Sequence, residues 1–248
     1  MSNLYTNLSE VYEAMYRSFI NYQEEFEFYY NLLKKYRSKS VLEIGCGTGN
    51  LANQFKKEDI EYTGLDQSDE MLSIAARNNP GTRFIQGDMR NFQLFNNIDS
   101  VIITGRTISY LIPDTDVQDT FRCINKNLNS SGIICFDCID AAKFISFIMP
   151  GEKIIHEAGF NNKKYRRESY WAVNHSQRGL FDWSSFYYEE DSNSRLHSIG
   201  EDHSTLRAFF REDITLLLEA NGFGIKEIID RPSYAFDTFV IVAERKRR

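Results

Sequence analysis

The stretch from residue 41 to residue 50, VLEIGCGTGN, constrains the fold of this chain more than any other. A short apolar run leads into glycines at every second position, Gly45, Gly47 and Gly49, and a helical pattern follows. Glycine has no Cβ atom, so the chain can turn sharply here and a ligand can approach the backbone closely. The first N–H groups of the helix are unpaired and point at the same turn. The stretch therefore predicts a strand, a ligand-binding loop and a helix, in that order.

Strands and helices alternate along the chain around this loop. The hydrophobic patterns predict strands at residues 40–44, 60–65, 82–86, 98–104 and 132–136, and helices at 9–36, 50–57, 69–77, 116–128 and 210–221. Ser9 and Ser68 can cap the helices that they precede, and Gly222 can cap the end of the last one. Several strands are almost continuously apolar, which is typical of a parallel sheet with helices on both faces.

The pattern changes between about residue 153 and residue 210. The alternation there predicts antiparallel strands at 169–174, 179–188, 195–199 and 204–210, joined by polar turns. A final hairpin is predicted from residues 224–229 and 238–244. We interpret the antiparallel part as an insertion in one domain, because the main pattern resumes after it.

Charge and length limit the class of protein. The net charge of −6 over 248 residues disfavours a nucleic-acid or membrane-surface protein, since such proteins rely on clustered Lys and Arg. No apolar run approaches the ~20 residues needed to span a bilayer, and residues 1–6 lack a signal-peptide pattern, so we expect a cytoplasmic location.

Two of the four cysteines, Cys135 and Cys138, have the C-x-x-C spacing of redox and zinc sites. They lie within a strand-like run, and no second pair completes a zinc site. We interpret them as buried strand thiols, and we predict no metal site in this chain.

Three acidic residues occupy matching places in successive strands. Glu43 lies inside the first strand, Asp66 ends the second and Asp88 follows the third. Open parallel sheets bind ligands at these carboxyl ends. A buried Glu43 needs an ammonium or backbone N–H partner, while Asp66 suits the hydroxyls of a ribose and Asp88 an exocyclic amine such as N6 of adenine. The ligand therefore resembles a nucleoside carrying an amino acid.

Two other nucleotide sites are weaker interpretations of the same loop. No lysine closes the loop, which disfavours a P-loop. The spacing Gly47-x-Gly49-x-x-Ala52 also allows a dinucleotide fingerprint, which would predict NAD-dependent oxidoreduction.

Three segments resemble, in order, the first motifs of class I S-adenosylmethionine-dependent methyltransferases: EIGCGTG at 43–49, LDQSDEML at 65–72 and QGDMR at 86–90. The segment SGIICFD at 131–137 resembles the fifth-strand motif, with Ser131 in place of a glycine. The N-terminal Tyr5 and Tyr12-Glu13, with the late insertion, resemble the small-molecule branch, which includes sugar N,N-dimethyltransferases and glycine N-methyltransferase-like enzymes.

The resemblance implies an α/β fold with a seven-stranded Rossmann-like sheet, helices on both faces, and an antiparallel insertion before the last helix and hairpin. It divides the single domain, residues 1–248, into four parts. These are an N-terminal helical lid at 1–36, a cofactor-binding core at 37–150, the substrate-side insertion at 151–210, and the C-terminal helix and hairpin at 211–248. For the dense N-terminal tyrosines, packing is the alternative to a lid that closes over a ligand.

The resemblance also implies S-adenosylmethionine as cofactor. The implied contacts are Tyr12, Glu43, Gly45, Cys46, Gly47, Asp66, Gln67, Met71, Asp88, Met89, Thr104 and Gly105. The first two loop glycines, with Thr104 and Gly105, would face the methionine part, and Glu43 its ammonium. Asp66 would hold the ribose, Gln67 and Met71 would border the adenine, and Asp88 with the Met89 backbone would contact its edge. Tyr12 would close over the sulfonium, where an electron-rich ring suits a cation.

Candidate acceptor residues follow the fourth strand and lie in the insertion. Tyr110 and His203 are the candidate catalytic groups, because a hydroxyl acceptor needs a base. Relatives often carry His-x-x-Arg where this chain has three residues between His203 and Arg207, and Arg207 and Trp183 are candidate substrate contacts. The aromatic side chains of the insertion either pack the sheet or form a substrate wall.

Arg106 directly follows Gly105 and is expected to line the acceptor pocket. A fixed cation there suits a carboxylate or phosphate on the substrate, and a salt bridge to Asp137 or Asp140 is the alternative. The resulting hypothesis is methyl transfer to N or O of a small anionic or zwitterionic molecule, with the oligomeric state left open. Methylation of a nucleic acid or protein, and a non-catalytic cofactor-binding regulator, are the alternatives.

Overall fold

The structure, a computed structural model, describes residues 5, 8–149, 151–160, 162–232 and 236–246. Its larger sheet contains β1 (Ser40–Ile44), β2 (Glu61–Asp66), β3 (Arg83–Gln86), β4 (Ile98–Ile103), β5 (Leu128–Ile139), β10 (Phe223–Pro232) and β11 (Asp237–Arg245). The strand order is β10-β11-β5-β4-β1-β2-β3. The five strands from β1 to β5 run parallel, and β11 is antiparallel to both of its neighbours. The predicted seven-stranded α/β sheet is confirmed.

Helices cover both faces of the larger sheet, and its central strands are therefore buried on both sides. The helices are α1 (Ser9–Phe19), α2 (Tyr22–Lys35), α3 (Ala52–Lys57), α4 (Asp69–Asn78), α5 (Asp114–Asn127), α6 (Ala141–Phe144) and α7 (Arg211–Ala220). One face of the sheet packs on α2 and α3 through Tyr29, Leu33 and Phe55. The other face packs on α5 and α7 through Phe121 and Leu218.

Two of the three predicted helix caps, Ser68 and Gly222, are confirmed. The Ser68 hydroxyl accepts the Met71 N–H at the start of α4, and Gly222 follows the last turn of α7 with a φ of +86°. The prediction for Ser9 is wrong, because Ser9 is the first helical residue and Leu8 takes the cap position without a side-chain bond. The hydrophobic packing of α1 compensates, since Met15 and Tyr16 are buried.

A second sheet contains β6 (Lys153–Phe160), β7 (Lys163–Val173), β8 (Leu180–Glu190) and β9 (Leu196–Arg207), all antiparallel. The sequence pattern missed β6 and divided β9 in two. The first half of β9 is largely exposed, so its apolar alternation is weak, and a bulge at Tyr187/Tyr188 shifts its register. We call β6–β9 the second sheet.

The second sheet starts and ends beside the carboxyl end of β5. Asp140 forms a parallel bridge with Phe209, and the Phe209 N–H donates to the Ile139 carbonyl at 2.9 Å. Met15 in α1 and Leu8, which precedes the helix, pack in one apolar cluster with residues of the same sheet. The second sheet and α1 therefore face the carboxyl edge of the larger sheet. None of the helices in the described ranges has an apolar stretch of the length that a bilayer crossing requires.

Candidate active site

A cavity of about 370 Å³ lies between the carboxyl edge of the larger sheet, α1 and the second sheet. This is the edge at which open α/β sheets bind ligands. Predicted site residues that line it are Tyr12, Glu43, Gly45, Cys46, Gly47, Asp66, Gln67, Met89, Thr104, Gly105, Arg106, Tyr110 and Trp183. The structure thus brings together most of the predicted site.

The glycine loop, residues 45–49, forms the floor of the cavity. The Gly45 N–H donates to the Leu65 carbonyl at 2.7 Å, and Gly45 has a φ of +71°. A Cβ atom there would lie 2.5 Å from the Thr107 side chain. Both the backbone conformation and the close packing therefore require glycine at this position.

Glu43 is a buried carboxylate whose partners are hydroxyl groups. It accepts hydrogen bonds from Thr104 at 2.8 Å and Tyr62 at 2.5 Å. Burial raises the pKa of Glu43 to about 7, although both hydroxyls favour its charged form. The described residues supply hydroxyls rather than the backbone N–H groups considered from the sequence, and an ammonium partner for Glu43 stays a prediction. A cationic ligand beside Glu43 would stabilise the ionised carboxylate.

Asp66 ends β2 with one backbone bond to each carboxylate oxygen. Oδ2 accepts the Gly47 N–H and Oδ1 accepts the Ser68 N–H, both at 2.9 Å. These bonds fix the carboxylate, while burial raises its pKa. Each oxygen keeps capacity for a further hydrogen bond, so Asp66 can accept from ligand hydroxyls.

Two predicted cofactor contacts lie outside the cavity lining. Met71 is buried in α4. Asp88 forms an ion pair with Arg90, with 2.6 Å between Nη2 and Oδ2, and hydrogen bonds from Arg90 lower the Asp88 pKa. Gly87 and Met89, on either side of Asp88, do line the cavity. Contact of Asp88 with an adenine edge therefore stays a prediction.

Tyrosine rings form the side of the cavity nearest α1. Tyr12 stacks on Tyr16 with ring centroids 4.0 Å apart and meets the edge of Tyr5 at 5.5 Å. The Tyr110 hydroxyl lies 2.7 Å from the Tyr5 hydroxyl. Burial raises the pKa of Tyr110 above its usual value, so the phenol keeps its proton at neutral pH. Tyr110 can donate a hydrogen bond to a ligand, but it is unsuited to act as a base.

Glu13 links the tyrosine-bearing helix to the glycine loop. This buried carboxylate accepts hydrogen bonds from the Thr48 hydroxyl and from Asn50 at 3.3 Å, and it also pairs with Arg17. The family resemblance includes Glu13 only as the neighbour of Tyr12. Glu13 is an acidic residue among the buried residues of α1. That pattern could have indicated a buried polar contact, but the sequence analysis did not use it.

The second sheet also contributes residues to the cavity wall. Trp171 and Trp183 are direct cross-strand partners on β7 and β8, and both line the cavity. Arg167, four residues before Trp171 on β7 and only 3% exposed, lies with its guanidinium carbon 5.4 Å from the Trp183 ring centroid. These three residues line the cavity, and their contact with a substrate stays a prediction.

His156 on β6 lies beside Arg167, with 3.1 Å between Nδ1 and Nη2. Burial, together with the charge of Arg167, lowers the His156 pKa to about 4. The ring is neutral at pH 7, so Nδ1 accepts from the guanidinium. Sequence reasoning missed both residues, since it did not find β6 and did not identify the inward-facing positions of β7.

Arg106 lines the cavity as predicted, next to the end of β5. Its backbone N–H donates to Asp137 Oδ1 at 2.9 Å, and its guanidinium carbon lies 5.6 Å from the Phe236 ring centroid. Burial raises the pKa of Asp137, and the charge of Arg106 opposes that rise. Asp140, the other partner considered for Arg106, pairs with Arg211 at 2.8 Å.

The predictions for His203 and Arg207 are wrong. The His203 ring is exposed, with Nδ1 3.0 Å from the Ser184 hydroxyl, and it does not line the cavity. Arg207 binds the Ile112 carbonyl at 3.0 Å and Asp114 at 2.7 Å. Side chains alternate along a strand, and it is Leu206 that faces the cavity. The cysteine prediction is confirmed: Cys135 and Cys138 are buried free thiols.

No cluster of three or more metal-ligating side chains is present in the part of the chain that the structure describes. The strand order of the larger sheet, the glycine loop, and the acidic residues at the ends of β1 and β2 together define the Rossmann-like methyltransferase class.

Comparison with known proteins agrees with this class. A methyltransferase domain model matches residues 41–132. An uncharacterized methyltransferase of Bacillus mycoides is 34% identical over 145 residues, covering 55% of this chain and 68% of the relative. The chain therefore belongs to the class I methyltransferases, whose methyl donor is S-adenosylmethionine.

Two further proteins relate to the small-molecule branch. The dTDP-3-amino-3,4,6-trideoxy-alpha-D-glucopyranose N,N-dimethyltransferase of Streptomyces venezuelae is 29% identical over 97 residues, which is 39% of this chain and only 41% of that enzyme. The structure of the S-adenosylmethionine-bound amino pentose methyltransferase CalS10 from Micromonospora echinaspora superimposes with a TM-score of 0.79 at 20% identity. That superposition covers 95% of this chain and 97% of CalS10.

Proposed function

We propose that this enzyme transfers a methyl group from S-adenosylmethionine to a nitrogen or oxygen of a small anionic or zwitterionic molecule. One observation carries the proposal: a single cavity is lined both by the glycine loop, Glu43 and Asp66 and by Arg106 and the aromatic residues of the second sheet. The first group of residues fits a nucleoside with an amino-acid tail, and the second group is suited to an acceptor.

The residues present fit the cofactor. Within the described ranges, the hydrogen-bond partners of Glu43 are neutral hydroxyls, so it suits the methionine ammonium. Asp66 would accept from ribose hydroxyls, and Gln67 and Met89 would border the adenine. When bound, the cofactor supplies a methyl group on a positively charged sulfur, which is an electrophile.

The chain contributes positioning and exclusion of water. In-line methyl transfer needs a well-oriented acceptor more than a strong acid or base, and fixed geometry lowers such barriers substantially. Tyr5, Tyr12 and Tyr16 line the cavity beside α1, where their rings would shield a bound ligand from solvent. Their electron-rich rings are suited to lie near a sulfonium.

The acceptor class is inferred from charge and from a relative. Arg106 and Arg167 both line the cavity, and guanidinium groups bind carboxylates and phosphates. The Streptomyces relative acts, by its name, on the amino group of a nucleotide-linked sugar. The net charge of −6 further supports a small molecule over a nucleic acid as acceptor.

Titration calorimetry with S-adenosylhomocysteine, followed by a product assay on pooled small amines and acids, tests the function. We expect binding and methylated product. Binding without product on any acceptor would favour a regulator that only holds the cofactor. A change in NADH fluorescence on titration would instead favour an oxidoreductase.

The Arg106→Ala variant tests the anionic part of the acceptor. Hydrogen bonds to charged groups contribute roughly 1.5–3 kcal/mol, so the acceptor KM should rise about 10-fold or more. Arg122→Ala is the matched control, because Arg122 pairs with Asp119 on the exposed face of α5. An unchanged KM in Arg106→Ala would remove the anionic acceptor from the proposal.

A further inference from the structure

We propose that Asp137 binds the nitrogen of an amine acceptor, holds it towards the methyl group and receives its proton during transfer. This rests on the proposed function and specifies it, because it selects an amine over a hydroxyl as the methylated group.

The strand register places Asp137 beside the cofactor half of the cavity. Ile44 pairs with Ile103, and Ile103 pairs with Phe136. The residues that directly follow Ile44, Ile103 and Phe136 in the chain are Gly45, Thr104 and Asp137. All three of these residues line the cavity. Asp137 therefore extends the row that begins at the glycine loop towards the second sheet.

Among the residues that the structure describes, four carboxylates line the cavity, and three of them have other partners. Glu25 pairs with Arg231 at 2.9 Å, Glu43 is held by two hydroxyls, and Asp66 is held by two backbone N–H groups. Asp137 is the carboxylate at the end of β5, where the second sheet begins. It is thus the acid placed on the acceptor side.

Asp137 keeps one oxygen available for a ligand. Oδ1 accepts the Arg106 backbone N–H at 2.9 Å, while Oδ2 accepts no hydrogen bond from any residue in the described ranges. A carboxylate held by one oxygen is oriented, and its second oxygen can accept an N–H of the substrate. The neighbouring Arg106 side chain makes the pair suited to an amine that also carries an anionic group.

The proton balance of the step favours nitrogen. An ammonium passes one proton to Asp137, and the freed nitrogen lone pair forms the new C–N bond as the C–S bond breaks and its electron pair stays on sulfur. Burial raises the Asp137 pKa, which makes the carboxylate a better proton acceptor than an exposed one. It remains far too weak a base to deprotonate an alcohol fully, whereas an amine needs only to be neutral.

In sinefungin, an amine-bearing carbon replaces the methylsulfonium of the cofactor, so its amine lies where the transferred methyl group would be. Sinefungin therefore probes this position before the acceptor is identified. If Asp137 faces that position, the ratio of the S-adenosylhomocysteine Kd to the sinefungin Kd should fall roughly 10-fold in Asp137→Asn. The affinity for S-adenosylhomocysteine itself should change less than about 2-fold. Asp140→Asn, three positions along the same strand end and paired with Arg211, is the matched control and should keep the wild-type ratio.

An unchanged ratio in Asp137→Asn would overturn the proposal while leaving the proposed function intact. Failure of the wild-type protein to bind either compound would instead overturn the proposed function. If Asp137→Asn does not fold, Asp137→Ser supplies the same comparison, since its hydroxyl can still accept the Arg106 N–H. Methyl transfer to an amine acceptor should fall about 100-fold or more in either variant, and a product methylated on oxygen would also contradict the proposal.

Discussion

At the scale of single residues, Glu43 shows how burial makes a carboxylate sensitive to the charge of a ligand. The strand excludes water from it, and its two hydroxyl partners leave its negative charge only partly compensated. Its pKa of about 7 means that the free protein holds a proton there over much of the physiological range. A ligand ammonium would lower that pKa and expel the proton.

Cofactor binding should therefore release protons in a pH-dependent way. With a free-state pKa of about 7, we expect close to one proton released at pH 6, about half at pH 7 and almost none at pH 9. Calorimetry of S-adenosylhomocysteine binding in two buffers of different ionisation enthalpy measures this number directly. Glu43→Gln should abolish the release, and a release that persists in that variant would assign it to another group.

The same scale shows what sequence can predict about a site. Gly45, Glu43 and Asp66 were predictable because strand ends in a parallel sheet meet at one edge. His203 and Arg207 were mispredicted because a shift of one residue moves a strand side chain to the opposite face. Asp137 was recognised only as a partner for Arg106, since its available oxygen depends on contacts that no sequence pattern records.

At the scale of elements, α1 and the glycine loop are joined through Glu13. The carboxylate accepts hydrogen bonds from Thr48 and Asn50, so we expect a ligand that orders the loop to order the helix as well. The tyrosines of α1 line the cavity on the same helix. Loop and covering helix are therefore coupled by a buried polar contact rather than by hydrophobic packing alone.

S-adenosylhomocysteine should protect the amides of Ser9–Phe19 from hydrogen exchange. In Glu13→Gln we expect that protection to weaken and the Kd to rise about 10-fold, because hydrogen bonds to a charged group are lost. Hydrogen exchange by mass spectrometry measures the protection. Glu24→Gln, at an exposed position in the first turn of α2, is the control. Exchange in α1 that is unaffected by ligand would exclude Tyr12 from the cofactor site.

Element prediction succeeded where burial is two-sided and failed where it is one-sided. Strands such as β1 and β4 are nearly all buried, so their apolar runs are continuous. The first part of β9 is mostly exposed, and its polar residues resemble a turn. The cross-strand pairing that makes it one strand with β8 is a long-range property, which local patterns do not contain.

At the scale of the whole molecule, the cavity is enclosed by all of the major parts. The larger sheet, α1 and the second sheet each contribute lining residues, so a ligand in the cavity contacts elements far apart in sequence. Binding should consequently stabilise the fold as a whole rather than one segment.

A thermal unfolding experiment can measure this stabilisation. A ligand at 100 times its Kd stabilises the native state by about 2.7 kcal/mol, which corresponds to a Tm increase of roughly 5–10 °C for a chain of this size. Near-ultraviolet circular dichroism reports the tryptophans of the second sheet, and far-ultraviolet signals report the larger sheet and helices. Both should shift together, and a shift confined to the far-ultraviolet signal would show that the second sheet unfolds independently.

The attachment of the second sheet has a consequence for how such enzymes diversify. The chain leaves the larger sheet at Asp140 and returns at Phe209, and these two points are hydrogen-bonded neighbours. A segment of different length or composition between them can therefore be exchanged without moving β5 or α7. Replacement of this one segment offers natural or laboratory evolution a route to new acceptors, while the half of the cavity suited to the methyl donor is inherited unchanged.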